Sequence, residues 1–143
     1  MARKRPRAIL EKPEEYFSEA VRYYANAQER LAESKTEYNR YKDLKPVREA
    51  CGTAYLAVLL ALDGYFVERG ADRENLPSSV EEYQKSMNKY LVHNGKIRNA
   101  FFNVYEVLHL WGYYRGIGDV DVAKDGFGEA KRIIETLTGM KVL

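Results

Sequence analysis

One cysteine, Cys51, and two histidines, His93 and His109, are all this chain offers of the softer metal-binding and nucleophilic side chains. A lone cysteine rules out an internal disulfide and suits a reducing compartment. Structural zinc draws four ligands from cysteine and histidine, more than the chain contains. Glu106 and His109 have the Glu-x-x-His spacing of a carboxylate di-metal bundle, but no second helix repeats it, so neither metal nor cofactor is expected. Long apolar runs are also scarce. The longest, Ala54 to Leu62, has nine residues, and a membrane-spanning helix needs about 20. The basic N-terminus has no apolar stretch behind it, so it does not read as a secretory signal. A cytoplasmic protein without a membrane is the expectation.

Charge of one sign is lacking too. The net charge is +2, but residues 1 to 12 carry five cations (Arg3, Lys4, Arg5, Arg7, Lys12) against Glu11. The rest of the chain holds 18 bases and 20 acids. The basic excess belongs to the tail, and the body gives no net-charge support for nucleic-acid binding. With 143 residues, 45% of them hydrophobic, the chain can bury roughly 68% of its unfolded surface in one domain.

What is present is helical periodicity. Pro13, Glu14 and Glu15 suit a helix start, and Phe17, Ala20, Val21, Tyr24, Ala27 and Leu31 follow at spacings of three and four. Pro46 opens a second helix, apolar around its whole circumference from Ala50 to Leu62 except at Thr53. Such a helix belongs at the centre. Its Gly52, Ala54, Ala57 and Ala61 admit close neighbours, and Gly70 ends it. Ser78 or Ser79, with Glu81 or Glu82, caps a third helix through Tyr83 and Met87. A fourth runs Ile97, Phe101, Val104, Leu108, Trp111, faces the second, and stops at Gly116 and Gly118. A fifth starts at Asp119 or Asp121 and runs through Phe127 and Ile134 to Leu137, closed by Gly139. No stretch alternates with period two. The reading is an all-α antiparallel bundle of about five helices: a basic tail over 1–13, one domain over 14–138, and a short tail over 139–143.

Several constellations could carry chemistry. Arg48, Glu49, Asp63, Arg98, Glu106 and His109 flank the two most apolar helices, where charges must be paired or wet. They form either structural pairs or the floor of a pocket that also takes in Tyr55 and Trp111. The 12 tyrosines, several in near pairs such as Tyr113 and Tyr114, fill the wet edge of a small bundle, build a protein interface, or stack on bases.

The strings Arg48-Glu49-Ala50-Cys51-Gly52-Thr53-Ala54-Tyr55, Leu60-Ala61-Leu62-Asp63-Gly64 and Tyr105-Glu106-Val107-Leu108-His109-Leu110-Trp111-Gly112-Tyr113-Tyr114 resemble a small family of uncharacterised bacterial proteins. Over roughly residues 14 to 138 the helix order is similar to that of the HEPN superfamily, the higher eukaryotes and prokaryotes nucleotide-binding domain. That resemblance implies a HEPN-like bundle and, for many members, a metal-independent ribonuclease. Its motif is an arginine, often followed by asparagine, then four to six residues and a histidine, with two motifs meeting across a dimer. Arg98-Asn99 matches the opening. The histidine positions hold Asn103, Val104 and Tyr105, and His109 lies about 16 Å further along a regular helix. Asparagine does not titrate near neutral pH and cannot act as a general acid or base. The catalytic candidates are thus Arg98, Asn103 and His109, and the expected outcome is a noncatalytic relative. It would serve self-association, as a homodimer, or binding of a protein partner. The alternative is nucleotide or RNA binding by a divergent or degenerate HEPN-type ribonuclease.

Overall fold

Lys12, Pro13 and Glu15 set the first helix. The Lys12 amide donates to Glu15 Oε1 at 3.1 Å, and the Glu15 amide donates to the Lys12 carbonyl at 3.0 Å. The proline costs nothing here, because a first-turn N–H has no helical partner. The computed structural model describes residues 10–142, and in it this helix, α1, spans Pro13–Ala32. The basic tail expected over 1–13 falls mostly on residues 1–9, outside the described residues. Leu10 and Glu11 already touch the body: the Tyr16 hydroxyl donates to the Leu10 carbonyl at 3.1 Å, and Glu11 lies 3.8 Å from Arg73.

Five helices form an all-α bundle. After α1 come α2 (Leu44–Glu68), α3 (Val80–Tyr90), α4 (Gly95–Val104) with a π-helical continuation (Tyr105–Arg115), and α5 (Val120–Thr138). The helix α2 lies at the centre and buries thirteen residues, from Pro46 to Phe66. It runs antiparallel to α1: Arg30 meets Glu49 at one end (3.0 Å), and Tyr16 and Phe17 close on Gly64 at the other. It is longer than its unbroken apolar run suggests. By length and composition α2 could cross a membrane, but most of that stretch is buried inside the bundle, which is how a core helix behaves. The helix α5 closes the opposite side. The Tyr24 hydroxyl, with its pKa pushed up to about 12 by burial, donates to the Phe127 carbonyl at 2.9 Å. Ser79 caps α3 by accepting from the Glu82 amide, and Asp119 caps α5 by accepting from Val122. Val142 folds back under α5 and is buried, its amide donating to Glu135 Oε2 at 2.9 Å. The segment expected as a C-terminal tail is therefore packed as far as Val142.

Two points differ from the sequence reading. The join between α1 and α2, where sequence periodicity defines no element, is a small antiparallel ribbon, β1 (Thr36–Glu37) and β2 (Arg40–Tyr41). Two residues per strand are too few to show an alternation in sequence. The second is a correction and concerns the rod formed by α4 and its continuation. Ile97, Phe101, Val104 and Leu108 are buried as expected, but Gly112 is the next buried residue and Trp111 is 45% exposed. Hydrogen bonds from i to i+5 widen the turn. The inward-facing position therefore arrives one residue late, at Gly112 instead of Trp111.

Gly112 is where the rod comes nearest to α2. A Cβ on it would stand 2.6 Å from both Cβ and Sγ of Cys51 and 3.1 Å from the Val107 carbonyl. Cys51 is fully buried, its thiol pKa pushed up to about 12 by desolvation, and cannot yield. At Gly52 the nearest atom to an added Cβ is Tyr113 Cδ1 at 2.8 Å, on a ring that is itself partly in solvent and free to swing. Gly112→Ala should therefore lose about 1–3 kcal/mol, as overpacking a tight core does. Gly52→Ala should be close to neutral, because the roughly 1 kcal/mol gain in helix propensity offsets the ring's adjustment. Urea unfolding of the two variants checks this, and equal losses would show that the seam at Cys51 is not tight.

Candidate functional site

Ring-bearing residues recur at every fourth position of the π-helical segment: Tyr105, His109, Tyr113. They line up against α2 and enclose His109. Its imidazole stacks on Tyr55 of α2 (centroids 4.6 Å apart, planes at 22°) and lies parallel to Tyr113 (6.1 Å, 4°). Tyr105 tilts toward it at 5.5 Å, and Tyr114 presents its edge at 5.1 Å. Tyr55 in turn leans on Phe101 and Tyr105. Arg48 holds the end of this array. Its Nε donates to the Tyr113 carbonyl and its Nη2 to the Tyr114 carbonyl, both at 2.9 Å. A cation on the last carbonyls of a helix is favourably placed against the helix dipole.

Burial pushes the His109 pKa below its ordinary value of 6.5. The imidazole is therefore neutral at pH 7, and it works as a flat apolar plate among tyrosines rather than as a charge.

The other charged candidates are dispersed. Asp63 is buried and accepts from the Tyr83 hydroxyl at 2.9 Å, on the α3 side of α2. Glu106 faces solvent. Arg98 is half-buried and donates through Nη1 to Asn88 at 3.2 Å, while no protein acceptor reaches its Nε among the described residues. Arg48 and Arg98 thus do not pair with Asp63 or Glu106, and the pocket expected from Tyr55, Asp63, Glu106, His109 and Trp111 does not assemble. Tyr55 and His109 do meet, whereas Trp111 stands in solvent.

Asn103 lies elsewhere again. It lines an open groove of about 550 Å³ between α4 and α5, with Asn99, Ile97, Lys96, Arg132 and Thr136. Five residues apart on an α-helix is roughly 140° around the axis, so Arg98 and Asn103 face different neighbours. Arg98, Asn103 and His109 therefore do not form one catalytic centre. General acid–base work requires groups within hydrogen-bond reach of one reacting atom, and these three have disjoint contacts.

Sequence reasoning missed Tyr105, Tyr113 and Tyr114 as neighbours of His109, and it missed the groove. The four-residue spacing of rings at 105, 109 and 113 was the available signal for the first, and Asn99 with Asn103 one turn apart for the second.

The histidine gives a pH test. In the unfolded chain His109 takes up its proton near 6.5, while in the fold it resists until lower pH. Between those two values the unfolded state binds more protons, so stability must fall as pH falls. Wild type should lose stability on going from pH 7 to just below 6, before carboxylates titrate, and His109→Phe should lose less. Denaturant midpoints at the two pH values give the comparison, and an identical slope in both proteins would show that His109 is not desolvated.

A solved structure of a protein of unknown function from Dyadobacter fermentans superposes with a TM-score of 0.75. It is 36% identical and covers 90% of this chain and 98% of its own. No curated protein matches the chain. The model of the family described as Domain of unknown function (DUF5618) matches residues 15–139, nearly the whole described bundle, and the chain belongs to that family.

Proposed function

We propose that this chain is a noncatalytic helical-bundle module that associates with protein, in its simplest form with a second copy of itself. The observation that carries this reading is where apolar surface is left in water. Of the ten large hydrophobic side chains exposed among the described residues, Leu44, Leu56, Phe102, Trp111, Tyr113 and Tyr114 lie on α2, α4 and the π-helical segment. Three of these, Trp111, Tyr113 and Tyr114, fall within four residues, with the Tyr113 and Tyr114 rings 5.2 Å apart; an exposed aromatic cluster supports an interaction site, and tyrosine and tryptophan are the side chains enriched in interface centres. A self-complementary face closing on a two-fold axis is the commonest form of such an assembly. The dispersal of Arg98, Asn103 and His109 supports the noncatalytic half of the reading. The five-helix order supports a HEPN-like topology, and a buried thiol with no second cysteine supports a cytoplasmic setting.

Sedimentation velocity at two widely separated concentrations tests the proposal. Wild type should shift from dimer toward monomer on dilution. Trp111→Glu with Tyr114→Glu, both at exposed positions, should be monomeric throughout with an unchanged melting temperature. A wild-type chain that stays monomeric at the highest concentration removes self-association.

The second reading, RNA or nucleotide binding by a divergent HEPN-type ribonuclease, is favoured by the groove that Asn99 and Asn103 share with Lys96 and Arg132. Gel shifts with a single-stranded RNA decide it. Under this reading the affinity falls steeply with salt and is lost in Lys96→Ala with Arg132→Ala, whereas no shift at low salt leaves the protein-binding reading alone.

A further inference from the structure

One wall of the groove between α4 and α5 repeats itself. Asn99 and Asn103 both line it, one turn apart on α4. Four residues of helix advance about 6 Å, and two residues of an extended chain advance about 6.7 Å. Every second residue of an extended chain turns its N–H and C=O to the same edge. A carboxamide carries a donor and an acceptor side by side, so each asparagine can bond both groups of one such residue. The two spacings agree to within about 1 Å. Both side chains are exposed, and among the described residues neither carboxamide has a hydrogen-bond partner.

The rest of the lining sets the chemistry. Buried Ile97 and half-buried Ala100 give it an apolar part between the amide positions. On α5, Thr136 offers a hydroxyl, and Arg132 is bonded to Glu129 at 3.1 Å. Lys96 is then the groove's cation without a carboxylate among the described residues. One unmatched cation suits one carboxylate. It does not suit a nucleic acid, which brings a phosphate at every link.

We propose that this groove binds an extended acidic segment of a different protein. The segment's main chain bonds to Asn99 and Asn103, a carboxylate side chain meets Lys96, and small apolar side chains at alternate positions lie against Ile97 and Ala100. Main-chain bonds then give affinity, and the alternating side chains give selectivity. This chain does not supply such a segment. Its strands among the described residues hold two residues each, one fewer than the three that reach both asparagines, and Glu37 of β1 is already paired with Lys42. Residues 1–9 carry Arg3, Lys4, Arg5 and Arg7 and no acid, so Lys96 repels them. The site is separate from the aromatic face of α2 and the π-helical segment and does not rest on association there.

The probe is a phage library of random dodecapeptides selected on the full chain, with the strongest clone remade as a fluorescein-labelled peptide. Selected sequences should share an aspartate or glutamate and small apolar residues at alternate positions. Fluorescence anisotropy should show binding at least about tenfold weaker to Asn99→Ala with Asn103→Ala. The melting temperature of that variant should not fall, because both positions are exposed. Lys96→Glu should weaken the acidic peptide and favour one with lysine in place of the acid. N-methylation, which removes a main-chain donor, should abolish binding at every second residue of the bound stretch and be tolerated between them. Sedimentation of the double asparagine variant should match wild type, which keeps this test apart from that of the aromatic face. The proposal is overturned by any of four results: no enriched sequence, a selected peptide that binds the double variant as tightly as wild type, N-methylation equally tolerated at neighbouring residues, or a groove that takes single-stranded RNA and no peptide.

Discussion

The contact of Gly112 with Cys51 constrains everything on that side of the molecule. The central helix α2 must be covered on all sides because almost nothing on it is polar between Ala50 and Leu62. At Cys51 the covering rod comes so near that an added Cβ would stand 2.6 Å from the cysteine side chain. Only a residue without a side chain fits there, and Gly112 is the one glycine between Tyr105 and Arg115. In regular α-geometry the line through Val104 and Leu108 would next turn Trp111 toward α2, where an indole has no room. The i to i+5 bonding delays the turn by one residue and delivers Gly112 instead. π-helical turns are costly and rare, and tight packing against Cys51 explains why one is kept here.

The surface follows from that choice. With Gly112 inward, Trp111 and Tyr114 turn to water and Tyr105, His109 and Tyr113 align against Tyr55 and Gly52. The aromatic exposure that supports the association reading is thus a product of the core and not a separate decoration. The same register leaves the Tyr113 and Tyr114 carbonyls without the partners that a continuing helix would give, and Arg48 takes both. Its position in the first turns of α2 means that one side chain fixes the beginning of the central helix to the end of the rod.

This explains which parts of the fold could be read from the sequence. The helices α1, α3 and α5 keep one apolar face and regular geometry, so spacings of three and four, the Ser79 and Asp119 caps and Gly139 locate them within a residue or two. The all-round apolar character of α2 placed it at the centre. The α4 rod was legible up to Leu108. Past that point the period itself changes, and a reader applying 3.6 residues per turn assigns Trp111 to the core. The β1–β2 ribbon was invisible for a related reason: its turn uses Tyr38-Asn39 in place of the glycine that announces such loops. Of the candidate site, Tyr55 and His109 come together, because they lie on the facing sides of α2 and the rod. Arg98, Asp63 and Glu106 scattered because Arg98 reaches Asn88 and Asp63 accepts from Tyr83, at separate places on α3, while Glu106 faces solvent.

The two ends of the bundle differ in how they are built, and the difference follows from the loops. At the end holding Gly116 to Val120, the chain leaves the rod through a glycine at φ 83°, is caught at once by β2, and enters α5 under the Asp119 cap. Arg48 grips the same corner from below. Backbone bonds, a side-chain cap and a cation thus meet within a few residues, and the aromatic residues carried there, Tyr38, Tyr113 and Tyr114, are displayed on main chain that has little freedom. At the opposite end, α4 starts from Asn94 and the groove is walled by amides, Thr136, Lys96 and an Arg132–Glu129 pair at 3.1 Å. Rigid display of aromatic rings favours binding to a preformed protein surface, because little entropy remains to be lost. The helix α2, buried along most of its length, joins the two ends through its packed core.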